Sequence, residues 1–593
     1  MGRGGGTSGR ARRTRRRPGL LRRANARPRP SRIRPALLPA LLGLGLVLAG
    51  CAGIPTSGSV VEGDPVLEPQ PQYVGLEPDP PRAGDDEAGI VDGFVTAMAS
   101  YEPDYPTARE FLTPEASAEW RPSDGMTIYA SSPSVDKTAG GVVRVTMAVL
   151  ATVGPDGYVN APPGTTEVLN LALRQVDDEW RISNPPAGII LSNLDFGSEF
   201  AEYDLYFFDP TFQRLVPDPV FMPVRGSRAT LLAEALLRGP SRWLAPAVGT
   251  AFPPETGLGV PVRVESGRAS VELTSQARTG TPEQVKLMGV QLARTLDQLE
   301  GIRELSVTSD GRPLMAGDEP TMSLDAYPEY DPSVAPRRSE LYAVGGSGVV
   351  QVGDRGPAAV AGPLGATTGR EDVAVNVESN QAAAVAAGGT QLIWAALRDE
   401  AGTTILANGT DFGSLSWDSA GLVWAVDQTV GGPRVLVTEP GSESATVLTA
   451  GLGGRTIDDL AVSLDGARVA IASGGEVLVG IVVRDADRPG TLRIDALRPL
   501  PLDGGPVTAV TWAGPTTLAT LVRVEGDVPE VYRVELARSI ARLAGPVPGA
   551  IWLAASPGRP LAVGTDDGKV MRQEDTTLQW VDVADAVAPA YPG

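Results

Sequence analysis

The 593 residues include one cysteine and no histidine, which removes Ser-His-Asp and Cys-His catalysis, imidazole metal ligands, intramolecular disulfides and CxxC redox pairs. Thirteen of the 51 basic residues and none of the 71 acids precede residue 51, so the chain from Cys51 onward carries a formal charge of −33 and has no basic footprint for nucleic acid. With 42% hydrophobic residues the chain is rich enough in apolar side chains for several cores, while 70 Gly and 53 Pro favour turn-rich β structure over long helices.

An arginine-rich leader (Arg10 to Arg34) and the apolar stretch Ala36 to Gly50 read as a signal peptide over residues 1–50. At 15 residues and broken by Pro39, that stretch is short for a spanning helix. It ends in Leu48-Ala49-Gly50-Cys51, which resembles the bacterial lipobox, in which the cysteine is acylated and the leader is cut just before it. Cys51 is thus the expected lipidation site, carrying N-palmitoyl and S-diacylglycerol groups. Two or three acyl chains hold a protein durably at a membrane, at about 0.8 kcal/mol per buried methylene. Residues 51–84 follow as a proline-punctuated tether.

Residues 85–198 read as an α+β unit. Asp85 or Asp86 caps a helix with Ile90, Val91, Phe94, Val95 and Met98 on one face, and a second helix is expected over Tyr105 to Phe111. Strands are expected at Val142 to Val153, Tyr158 to Asn160, Glu167 to Val176 and Glu179 to Ile182. Two helices on an antiparallel sheet resemble a cystatin-like or nuclear-transport-factor-like cone.

Residues 199–316 form a second α+β unit. Asp204 to Phe208 and Leu215 to Pro223 pair as strands, Ala229 to Arg238 is a helix, and a hairpin turns at Ser266-Gly267. Thr281, Pro282 and Gln284 spell a capping box ahead of a helix with Val285, Met288, Leu292, Leu296 and Leu299 in its core stripe, ended by Gly301. A strand over Ile302 to Ser309 completes the unit, and residues 317–338 are a second linker.

Residues 339–593 are β throughout. A strand-turn-strand phrase recurs at Val373 to Ala387, Leu415 to Asp427, Leu460 to Ser473, Val507 to Val522 and Ala550 to Thr565. Each phrase has two further short β runs behind it, which is the signature of a β-propeller. Leu341 to Ala361 supplies three strands of another blade, and Asp585 to Ala590 its fourth, so six blades closed by both ends are expected. Asp465-Gly466 and Asp567-Gly568 read as hairpin turns before metal ligands. Trp417, Trp424, Trp512 and Trp552 read as packing between blades before a sugar-stacking surface.

In order, the lipobox with CAGIPTSGSV after it, Trp180 to Ser192 (WRISNPPAGIILS), Leu236 to Pro240 (LLRGP) and the terminal Ala590-Tyr591-Pro592-Gly593 resemble the actinobacterial LpqB lipoproteins, and residues 199–316 resemble a GerMN domain. The resemblance implies an accessory role rather than a reaction. It points to a lipid-anchored protein outside the membrane that binds the extracytoplasmic part of the sensor kinase MtrB and modulates the MtrA–MtrB two-component system in envelope and division homeostasis. It brings no cofactor, metal or catalytic residue. The alternatives from the residues are a peptidoglycan-binding module and a glycan hydrolase built on two carboxylates.

Overall fold

The computed structural model describes residues 78–593 apart from 139, 156, 163, 315–320, 333–339, 387, 400–401, 441–444, 450, 485–490, 503, 525, 527 and 575–576. The expected signal peptide, Cys51 and most of the tether lie outside the described residues. Among those that are described, no helix is long and apolar enough to cross a membrane.

The first α+β core is organised by the helix Glu87–Ala99. Asp86 caps it by accepting from the Gly89 amide at 2.9 Å, and Lys137 on a neighbouring strand pairs with Asp86 and Glu87 at 2.6 and 3.2 Å. Its buried face is Ile90, Val91, Phe94, Val95, Ala97 and Met98. A side chain at Gly93 would stand 2.4 Å from the Phe111 ring, so close packing requires glycine there. The second helix is shorter than expected, Pro106–Arg109: it starts one residue late, after the left-handed Asp104 and Tyr105 (φ 62° and 51°), and ends two residues early, with Glu110 at its C-cap. A further helix, Pro114–Glu119, is capped by Thr113. The long strand Val142–Gly154 alternates buried and open positions and pairs with Thr166–Val176, Ser134–Thr138, Met126–Tyr129 and Gly157–Asn160. The sheet is mixed, since Ile189–Ser192 lies parallel to Met126–Tyr129.

The helix Asn193–Glu199 runs straight into Phe200–Phe208, which pairs along its length with Leu215–Pro223. In the second core, Arg268–Leu273 and Glu304–Ser309 are parallel neighbours joined by the helix Pro282–Leu296. Both halves of the Thr281/Gln284 capping box form. The helix stops at Leu296, short of the expected Gly301, with Asp297 at its C-cap. Leu287, Met288, Val290, Leu292 and Leu296 are core residues. Gln291, Thr295 and Gln298 sit beside them and bond the open edge of the hairpin. Gln291 donates to the Tyr206 carbonyl at 2.8 Å, Thr295 accepts from the Tyr206 amide at 3.3 Å, and Gln298 both accepts from and donates to the Asp204 backbone at 2.8 and 2.7 Å. An edge strand that would otherwise bury bare backbone is satisfied by side chains.

The C-terminal half is a series of antiparallel sheets: Arg370–Asn408, Phe412–Thr446, Asp459–Leu500 with the short Leu448–Thr449 added parallel, and Val507–Pro546. The strand Trp580–Ala590 belongs to two neighbours. Its first part pairs with Lys569–Gln573 and its second with Leu341–Gly345, so the two ends of this half meet in one sheet. Adjacent sheets are stitched as well as packed. Asp372 accepts from the Leu415 amide at 3.2 Å, Ser416 from the Val462 amide at 3.0 Å and Asp459 from the Val510 amide at 2.9 Å, while the Trp512 indole donates to the Ala461 carbonyl at 3.0 Å.

Candidate functional site

The chemistry-bearing side chains gather at the seam between the α+β units and the C-terminal sheets. Arg468 is only 2% exposed. It donates to Asp465 at 2.6 Å and to the Pro217 carbonyl at 3.4 Å and lies over the Trp512 ring at 5.1 Å, with its Nε lacking a partner. Val216, Leu244 and Ala247 pack against Ala467 and Ile481 beside it. Trp243 reaches across to donate to the Ala496 carbonyl at 2.8 Å, under the Arg498 guanidinium. From the other side the turn at Leu536 to Ser539 wedges between the two α+β units. Ala537 enters the first core, Asn160 donates to Ser539 at 2.7 Å, and Arg538 covers the Phe196 and Phe221 rings at 5.2 and 5.0 Å and pairs with Glu202 at 3.7 Å.

Besides Asp465, three carboxyls at this seam are shifted by burial. Burial pushes Asp204 up to about 7, with the nearby Glu202 adding to the shift, and one of its oxygens has no partner. Burial likewise raises Asp218, although Ser241 holds it through its amide at 2.6 Å and its hydroxyl at 2.9 Å. Burial raises Glu202 too, against the pull of Arg538.

The innermost strands of the C-terminal sheets have unlike ends. Ser463, Asp465, Trp512 and Ser556 lie under Arg214, Leu215 and the segment Glu329 to Pro332, which cover that end. Four residues of strand, about 13 Å at 3.3 Å per residue, separate Ser463 from Asp459, and Asp372 stands at the same level of its own strand Arg370–Val375. Burial pushes Asp372 up to about 7 and raises Asp459, and each still accepts two backbone amides. Glu371 and Asp458 at this end hold the Gly388 and Gly474 amides at 2.7 and 2.8 Å, and Asp411 and Asp566 are exposed beside them.

Asp465-Gly466 and Asp567-Gly568 are turns, with Gly466 and Gly568 at φ 69° and 85°. Asp465 spends its oxygens on Ser463, the Ala467 amide and Arg468. Among the described residues no group of three or more acidic or thiol side chains is placed to hold a metal. Trp417, Trp424 and Trp512 are buried in packing, and Trp552 is half-buried. Sequence reasoning missed Arg468, Arg538 and the Gln291/Thr295/Gln298 stripe. The stripe was detectable as polar residues at helical spacing beside the Met-Leu stripe, while nothing local marks the two arginines.

The chain is built as two small α+β units followed by a run of antiparallel sheets, the class of a multidomain lipoprotein with a β-propeller. Residues 80–197 match the family described as Lipoprotein LpqB, N-terminal domain, residues 347–592 the Lipoprotein LpqB beta-propeller domain, and residues 204–315 the Germane family, described as sporulation and spore germination. Lipoprotein LpqB of Thermobifida fusca is 31% identical, with 93% of this chain and 97% of the relative aligned. Lipoprotein LpqB of Streptomyces coelicolor is 29% identical over 96% and 99%. The chain belongs to the LpqB lipoprotein family. Among solved structures, TolB from Acinetobacter baumannii aligns with 43% of this chain and 67% of its own at 12% identity and a TM-score of 0.34.

Proposed function

We propose that this protein is held at the outer face of the cell membrane by lipid on Cys51 and acts there, without catalysis of its own, as an accessory of the MtrA–MtrB two-component system by binding the extracytoplasmic part of MtrB. Residues 1–50 are its signal peptide, and residues 339–593 close a six-bladed ring through the shared strand Trp580–Ala590. The observation that carries the reading is the unlike pair of propeller ends. One is covered by the protein's own second unit, and the other presents Glu371, Asp411, Asp458 and Asp566. An acidic, uncovered loop face suits a basic partner surface and a salt-sensitive encounter. The raised carboxyls Asp372 and Asp459 favour no hydrolase, because both are engaged by backbone amides between sheets.

The test is a crosslinked capture of the whole protein from its own membranes at low salt. MtrB is expected among the partners, weakened by the quadruple change of Glu371, Asp411, Asp458 and Asp566 to Lys. Capture of peptidoglycan without MtrB overturns the kinase reading in favour of a wall-binding one. A Cys51→Ala protein that stays in the membrane fraction overturns the anchor.

A further inference from the structure

Between the first α+β unit and the hairpin of the second lies a cleft of about 1140 Å³. Ligand pockets commonly span roughly 300–1,000 Å³, so this one has room for an extended, chain-like molecule. One wall carries Tyr105, Met126 and Ile189, the other Phe200, Met222 and Leu231. The left-handed pair Asp104 and Tyr105 turns the Tyr105 ring into that first wall, edge-on to Tyr101 at 5.8 Å and to Trp120 at 6.1 Å. Met side chains are unbranched and polarisable, and adapt to alkyl ligands of varied shape.

The rim has the opposite character to the walls, and to the chain as a whole. The acid lining the cleft is Asp104, and Arg109 already neutralises it at 2.6 Å. Arg121 and Arg238 also line it, both exposed. Arg121 spends one terminal nitrogen on the Ala118, Glu119 and Trp120 carbonyls and faces no carboxylate within ion-pair distance among the described residues. Arg238, on the last turn of Arg228–Arg238, has no ion pair among the described residues, and Glu234 one turn back does not reach it. An apolar trough lined as well by two guanidiniums without a carboxylate partner, on a chain of net charge −33 from Cys51, is complementary to a hydrocarbon tail with an anionic head.

We propose that this cleft binds a long-chain fatty acid, with the tail between the Met126/Ile189 and Met222/Leu231 walls and the carboxylate at Arg238 and Arg121. The proposal is independent of the kinase reading, since it concerns a different surface and a free ligand.

The test uses the whole chain carrying Cys51→Ala, so that no acyl group of its own competes. It is titrated calorimetrically with monomeric oleate and, in parallel, with oleyl alcohol. Oleate is expected to bind saturably at one site. With Arg121→Glu and Arg238→Glu together, its affinity is expected to fall roughly ten-fold or more, while the alcohol changes less than about two-fold. If circular dichroism shows the double variant misfolded, Arg238→Gln alone is read, with an expected loss of about three-fold for oleate only. No saturable oleate binding, equal binding by folded charge variants, or association with phosphatidylglycerol vesicles without uptake of monomer would each overturn the proposal.

Discussion

The junctions inside the propeller and the seam that joins it to the α+β units solve the same packing problem with different materials. Between sheets, small apolar residues such as Val373, Ala382, Ala384 and Val375 fill the space, and every polar bridge named above has its partner. At the seam an arginine is buried with carboxyls from different units, and Asp204 and Arg468 each keep an atom with no hydrogen-bond partner. Apolar junctions that repeat gain stability from area removed from water. A seam of isolated ions gains little net stability, because desolvation offsets the Coulomb attraction, but it is costly to break on one side. The difference predicts that the propeller is the stable body and that the seam fixes one registration of the units upon it.

The largest effect is expected where both ends of the propeller meet. Ending the chain after Asp585 removes the partner of Leu341–Gly345, along with Tyr591, whose hydroxyl donates to the Pro560 carbonyl at 2.9 Å. Urea unfolding should lose its cooperative propeller transition, a loss comparable to a domain's whole stability of roughly 5–15 kcal/mol. A truncated chain that unfolds like the parent would refute closure by the shared strand.

Next is the seam itself. Arg468→Met leaves the Asp465 carboxylate buried without its cation and should cost about 3–5 kcal/mol. Trp512 fluorescence is a local probe, since the guanidinium lies on that ring. Adding Asp465→Asn should recover part of the loss. A double variant as damaged as the sum of its parts would mean that the two residues do not act as a pair.

The pH dependence probes the two regions again, each having one carboxyl pushed up to about 7. An acid whose folded pKa lies above its ordinary value binds its proton more tightly when folded, so stability falls as pH climbs through that interval. For Asp204 and Asp372 the interval runs from 3.8 to about 7, and the fall levels off above it. Asp204→Asn should flatten this slope, read as urea midpoints at about pH 4 and 8. Asp372→Asn should flatten it by a similar amount, because its folded value matches that of Asp204 with the Leu415 and Val373 amide bonds already in place. An unchanged slope in Asp204→Asn would remove that carboxyl from the account.

The same division explains what could be read in the sequence. The strand-turn-strand phrases were legible because alternating Val and Ala between turn residues is a local, period-two signal, and the phrase repeats. The helix Glu87–Ala99 and the Thr281 capping box were legible for the same reason, since both lie within one or two turns of chain. The left-handed pair Asp104–Tyr105 was not, because its backbone is held by packing of Tyr105 on Tyr101 and Trp120 rather than by its own residue types. Arg468 was invisible as a seam residue because its partners include Pro217, some 250 residues earlier. The acidic end of the propeller was legible only as net charge. Which end is left uncovered needed the position of Glu329 to Pro332.

The smallest effect tests whether the second α+β unit unfolds with the rest. Thr281→Ala removes the side chain that accepts from the Gln284 amide at 3.2 Å and leaves the reciprocal bond from Gln284 to the Thr281 backbone at 2.9 Å in place. Losing such a cap costs about 1 kcal/mol. Gln291, Thr295 and Gln298 tie this helix to the hairpin whose far strand reaches the seam through Val216 and Pro217. If the buried ions hold the units in one cooperative body, the full loss should appear in global unfolding followed by propeller tryptophans. If the seam only sets registration, amide exchange in Pro282–Leu296 should accelerate by roughly five-fold, the equivalent of about 1 kcal/mol, while the propeller transition stays where it was.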